Sequence, residues 1–116
     1  MTAPRLTAQA ALAALADSDD GKPYRLLFAH GSLEVEVYRP IGKDLQAPHT
    51  RDEVYVVIAG RGEFVNGGER RPFQAGELLF VPAGVEHRFE NFSDDFSTWV
   101  IFYGPHGGET STQGPT

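Results

Sequence analysis

At 116 residues the chain is long enough for one hydrophobic core and too short for two. Its 41% apolar and 22% charged residues are those of a globular domain, and a net charge of -6 argues against a nucleic-acid partner, which needs a basic face. There is no cysteine, so disulfides, thiolate ligands and cysteine nucleophiles are excluded.

The first predicted element is a helix over residues 7 to 16. Thr7 supplies a capping hydroxyl, Leu6 precedes it as an apolar staple, and Ala8, Ala11, Leu12 and Leu15 share one face. Asp17 to Gly21 ends it. A helix this short is marginal alone, so its apolar stripe must pack on the outside of a sheet or on a partner subunit. The same Ala-rich run imitates the centre of a secretion signal. It is interrupted by Gln9 and poor in leucine, and the expected location is cytoplasmic. No apolar run reaches the roughly 18 residues needed to cross a bilayer, so no membrane partner is expected.

From Tyr24 the apolar period changes to two. Strands are predicted at 24–30, 33–39, 53–58, 62–65, 69–72, 78–81, 87–92 and 97–103. In the second, Leu33, Val35 and Val37 alternate with Glu34, Glu36 and Tyr38, the pattern of a half-buried strand. Asn66-Gly67 is a hairpin signal. Many short strands, Gly-rich turns and no second helical pattern imply an all-β sandwich or barrel. After Tyr103 the run G-P-H-G-G-E-T-S-T-Q-G-P-T offers nothing to a core. The expected organisation is therefore a helix and lead-in over 1–23, a β domain over 24–104 and a disordered tail over 105–116.

The most informative stretch is Gly76 to Asn91. Leu78 to Val81 reads as a buried strand, Pro82-Ala83-Gly84 breaks it, and His87 opens the return strand, with His87, Phe89 and Asn91 on one face by alternation. An imidazole held just beyond a tight turn on a stiff sheet suits a metal ligand or a general base. Gly76, Pro82, Gly84, His87 and Asn91 stand at the spacing G-x5-P-x-G-x2-H-x3-N, which resembles the second motif of the cupin family. Upstream, His49, Glu53 and Gly60 match the latter part of that family's first motif, G-x5-H-x-H-x3,4-E-x6-G. Where the motif has its first histidine this chain has Ala47, and Gly42 lies seven residues before His49.

The resemblance covers about residues 24 to 104. It implies an antiparallel jelly roll (a double-stranded β-helix barrel) with one divalent ion at His49, Glu53 and His87. Without thiolates, such an ion would be iron, manganese, nickel or catalytic zinc. Full-motif members usually offer three histidines and a glutamate. Ala47 removes one donor, and water or substrate is expected in its place. Gln46, one residue displaced, could supply an amide oxygen instead, but strand parity argues against its pointing in beside His49 unless Pro48 rotates the chain.

In one straight strand His49 and Glu53 would be roughly 13 Å apart at Cα, so residues 50 to 52 must bend for the two side chains to meet. A solvated strand-end role for Glu53 stays open. Tyr55, Phe89, Asn91, Trp99 and Tyr103 are candidates for the pocket, with Tyr55 also a candidate for catalysis. His30 is expected at a rim and His106 in the tail, neither as a ligand.

Two functions follow from the resemblance. One is a metal-dependent enzyme of oxygenase, isomerase or cyclase type on a small organic molecule, since two histidines and a carboxylate leave open positions as in non-haem iron(II) oxygenases. The other is a non-catalytic module that binds or senses a small ligand. The apolar helix stripe and the edge strands after Tyr24 predict a homodimer. No phosphate loop and no nucleophile elbow are present.

Overall fold

Thr7 does cap the helix. Its hydroxyl accepts the Ala10 N–H at 3.0 Å, and α1 runs over Ala8–Ala16. The structure is a computed structural model that describes residues 4–110. Eight strands follow among the described residues: β1 (Tyr24–His30), β2 (Leu33–Tyr38), β3 (Asp52–Ala59), β4 (Arg61–Asn66), β5 (Glu69–Gln74), β6 (Leu78–Val81), β7 (His87–Glu90) and β8 (Ser97–Tyr103). They form two antiparallel sheets, β1-β2-β8-β3-β6 and β5-β4-β7. The fold is thus the expected all-β jelly roll with one short helix. Among the described residues no helix is long and apolar enough to cross a membrane.

The alternation of β2 has an unexpected sense. Glu34, Glu36 and Tyr38 face an internal cleft, while Val35 and Val37 occupy the opposite face, which α1 covers by packing on β1 and β2. The valines are buried beneath the helix, where Ala11 is fully buried. A polar strand face normally read as solvent-facing therefore lines the inside of the barrel.

Deeper in, aromatic side chains fill the space between the sheets. Phe89 on β7 has ring centroids at 4.6 Å from Phe96, 4.7 Å from Phe64, 4.9 Å from Tyr55 and 5.2 Å from Phe73. Phe96 comes from the β7–β8 connection and is fully buried. It sits against Gly60, the single residue between β3 and β4. Gly60 has φ +92, and a Cβ there would lie 2.6 Å from the Phe96 Cα, so the connection needs glycine for both conformation and space. At the other hairpin Asn66 pairs with Glu69 across Gly67-Gly68, as the Asn-Gly signal predicts.

The expected tail begins at 105, yet residues 105–110 fold back along the start of β3. Gly107 N–H donates to the Thr50 carbonyl at 2.6 Å, and Glu109 N–H donates to Asp52 Oδ2 at 2.9 Å. Asp52 is buried and also accepts the Ala83 N–H at 2.9 Å, so one carboxylate ties three segments together. Apolar content gave no hint of this, because backbone groups make the contact. Residues 111–116 lie outside the described residues.

Candidate functional site

The irregular chain between β2 and β3 carries His49, and two contacts fix it. Asp44, buried at 7% exposure, accepts the Tyr38 hydroxyl at 2.6 Å, the Phe89 N–H at 2.8 Å, the Gln46 N–H at 3.1 Å and the Gln46 side-chain amide at 2.8 Å. The segment is thereby clipped to β2 and β7. At its far end the Gly84 N–H donates to the His49 carbonyl at 2.7 Å, so the Pro82–Gly84 turn holds the first histidine as well as launching the second. Thr50 and Arg51 form the bend that the spacing required.

Glu53 follows on β3, with 1% exposure, opposite Val81 and Phe102. It is no solvated strand end. His87 opens β7, and its Nδ1 bonds to the Val85 carbonyl at 2.9 Å. Because a carbonyl only accepts, Nδ1 carries the proton and Nε2 is left as the lone-pair nitrogen facing the site. His87 Nε2 lies 3.1 Å and His49 Nε2 3.8 Å from Glu53 Oε1. One ligand atom from each of the three residues lies within 4.8 Å of the others.

Both Glu53 oxygens and His87 Nε2 are buried with no hydrogen-bond partner among the described residues. The 3.1 Å approach of His87 to Glu53 lacks the alignment of a hydrogen bond. A buried carboxylate without hydrogen bonds is costly, and two imidazole nitrogens plus one carboxylate are the donors a divalent ion takes. The residues fit such an ion.

The two imidazoles differ electrostatically. Burial pushes His49 below the ordinary histidine value, with His87 adding to this and Glu53 opposing it. Burial works the same way on His87, but the Glu53 carboxylate and the Val85 carbonyl outweigh it and hold His87 above the ordinary value. Tyr55 is pushed well above the usual phenol range by burial and then by Glu53, so its hydroxyl stays protonated. That hydroxyl donates to Gln46 Oε1 at 2.9 Å.

Gln46 corrects the parity argument. Residues 39–51 are not a strand, so alternation does not apply, and Gln46 Oε1 stands 3.3 Å from His49 Nε2.

A cleft of about 440 Å³ opens above these residues, with Glu36, Arg51, His49, Val100 and Phe102 in its wall. Glu36 is held above the usual carboxyl value by burial, then by Glu34 and Glu53. Arg51 pairs with Glu34 at 2.7 Å, and His106 reaches the rim, where its Nδ1 contacts the Thr50 hydroxyl at 2.7 Å.

The other pocket candidates do not line this cleft. Tyr55 and Phe89 are core, at 0% and 1% exposure. Cross-strand partners share a face, and Glu53 and Tyr55 sit opposite Phe102 and Val100. Trp99 and Tyr103 therefore take the outer face of β8, one residue out of phase with the expectation. Asn91 follows the end of β7 in a left-handed conformation, φ +52, and donates to Glu63 Oε1 at 2.7 Å on the exterior. Sequence reasoning missed Asp44, Glu36, Val100 and Phe102. Only the β3–β8 register would have revealed the last two.

The fold and site define a class: a small antiparallel barrel whose mouth gathers two histidines and a buried glutamate. The chain belongs to the cupin family, since residues 34–103 match the family model described as a cupin domain. An uncharacterised protein of Streptomyces coelicolor is 42% identical over 62 residues, 53% of this chain and 59% of that protein, so the chain spans about three fifths of that relative's length. Among solved structures, a cupin 2 conserved barrel domain protein from Salinispora arenicola aligns at TM-score 0.64 and 22% identity over 90% of both chains. A Neisseria meningitidis protein aligns at TM-score 0.66 and 20% identity over 87% of this chain and 100% of that one. These likenesses establish the fold.

Proposed function

We propose that the protein binds one divalent metal ion through His49, Glu53 and His87 and acts with it on a small organic molecule, as an oxygenase, isomerase or cyclase. The observation that carries this reading is the Glu53 carboxylate, almost wholly buried with neither oxygen hydrogen-bonded among the described residues. Iron, manganese, zinc and nickel all accept this donor set.

Such an ion, held by His49, Glu53 and His87, would supply a Lewis acid to a small molecule in the cleft. The chain's own residues do the rest. The Val85 carbonyl keeps His87 in the tautomer that presents Nε2. Phe102 packs edge-on against His49 at 4.9 Å between centroids and braces the ring. Glu36 and the Arg51–Glu34 pair provide polar wall contacts that orient a substrate carrying hydrogen-bonding groups.

The test is addition of nitric oxide to iron(II)-loaded protein. A paramagnetic adduct at one per chain supports an open, reactive position. A loaded protein that takes up no nitric oxide supports the non-catalytic, ligand-binding alternative.

The same reading includes a homodimer. Leu26 on β1 and Leu78 and Phe80 on β6 are exposed, and these two strands are the edges of the five-stranded sheet. Light scattering should give twice the 12.7 kDa of one chain. A single-chain mass at tens of micromolar would count against the dimer.

A further inference from the structure

We infer that Gln46 is a fourth donor to the ion, its side-chain oxygen replacing the imidazole that Ala47 does not offer. This rests on the metal reading above and deepens it.

The orientation of the amide is decided by its neighbours. Gln46 Nε2 donates to Asp44 Oδ2 at 2.8 Å, and an ionised carboxylate only accepts, so the oxygen must face the other way. On that side Oε1 accepts the Tyr55 hydroxyl at 2.9 Å. A carbonyl oxygen has two lone pairs. Tyr55 uses one, and the other is turned toward His49 Nε2 at 3.3 Å.

That contact makes sense in the metal-free protein only if His49 Nε2 carries a proton to share. To bind an ion through Nε2, His49 must carry its one proton on Nδ1 instead, the other neutral tautomer. Two lone pairs, on Nε2 and Oε1, would then face each other at close range, a repulsive arrangement unless a cation draws both. Glu53 Oε1 lies 3.8 Å from that nitrogen.

The spacing agrees. Donors in adjacent positions around one ion, each at about 2.1 Å, stand about 3 Å apart. Gln46 Oε1 to His49 Nε2 at 3.3 Å and His87 Nε2 to Glu53 Oε1 at 3.1 Å are both of that size.

Rigidity agrees too. Asp44, buried with its four hydrogen bonds, holds the glutamine to β2 and β7, so little ordering is left for the ion to impose. An amide oxygen is a harder donor than imidazole, so the exchange favours manganese or iron(II) over softer-ligand metals.

The experiment uses the full chain, Mn(II) as probe, and glutamine carrying carbon-13 at its side-chain carbonyl. Infrared difference spectra with and without Mn(II) should show an isotope-sensitive carbonyl band moving to lower frequency in the wild type and missing in Gln46→Ala. Mn(II) affinity in Gln46→Ala should fall about tenfold or more. If Gln46→Ala fails to fold, the wild-type spectrum decides alone. Wild type that binds Mn(II) without such a band overturns this inference and leaves the three-residue metal site standing. So does a band moving upward, as for an oxygen that merely loses its bond from His49. Wild type that binds none of manganese, iron(II), zinc or nickel overturns both.

Discussion

The interior of the barrel has two ends built by the same strands and finished differently. β3 contributes Glu53 to one end and Tyr55 and Val57 to the other; β7 contributes His87 and then Phe89. At the aromatic end every ring rests on another, and the space is filled by the chain's own side chains. At the polar end, one alternation step away, Glu53 and His87 are as deeply buried yet hold atoms that nothing in the described chain satisfies. The aromatic end maintains the fold, whereas the polar end holds the donor set proposed to bind a divalent ion.

The sharpest contrast is in stability. Phe89→Ala should cost about 3–5 kcal/mol in urea unfolding of the metal-free protein, the usual range for a fully buried phenylalanine. A loss below about 1 kcal/mol would mean that the aromatic end is not the stabilising half.

The glycines at the two ends sharpen the comparison further. Gly60→Ala combines positive φ with a collision against the Phe96 backbone, and should cost about 2–3 kcal/mol. Gly84, on the turn before His87, has φ +81 and open space where a Cβ would go. Gly84→Ala should cost only about 1 kcal/mol, from strain alone. Equal denaturation midpoints for the two variants would remove the distinction.

Histidine titration gives the smallest effect, because two contributions oppose. In the metal-free protein, nuclear magnetic resonance should show His87 titrating above the ordinary value of about 6.5 and His49 below it. Protonated His87 stabilises the metal-free fold fully below its unfolded pKa, and that contribution is lost as pH rises through its folded pKa. His49 acts in reverse, contributing above its unfolded pKa and losing that as pH falls through its folded one. Titration in the opposite order would show that Glu53 does not dominate the polar end.

Much of this was legible before the structure. Alternation located the strands, and motif spacing selected His49, Glu53 and His87, which the fold does bring together. What failed was inference about facing wherever it depended on more than one strand. Trp99 and Tyr103 were placed inside because the parity of β8 is set by its register against β3, not by its own pattern. Alternation marks β2 as half-buried without saying which face is inside, and the helix on its valine side leaves Glu34 and Glu36 to the cleft. Gln46 is disfavoured by a strand rule that does not apply to its segment, whose path is set by one buried carboxylate, Asp44. Asn91 kept its phase only on the assumption that β7 continued to it, and β7 stops at Glu90.

Metal content of wild type against Glu53→Gln tests the central claim most directly. Both proteins are stripped, reconstituted with iron(II), manganese, zinc and nickel in turn, and analysed for bound metal per chain. Above the folded pKa of His87, replacing a buried carboxylate that accepts no hydrogen bond by a neutral amide of the same shape should leave the metal-free fold as stable as wild type or slightly more so. Wild type should retain one ion per chain, and the folded variant should retain almost none. Equal metal content in the two proteins, whether one ion or zero, would contradict the account.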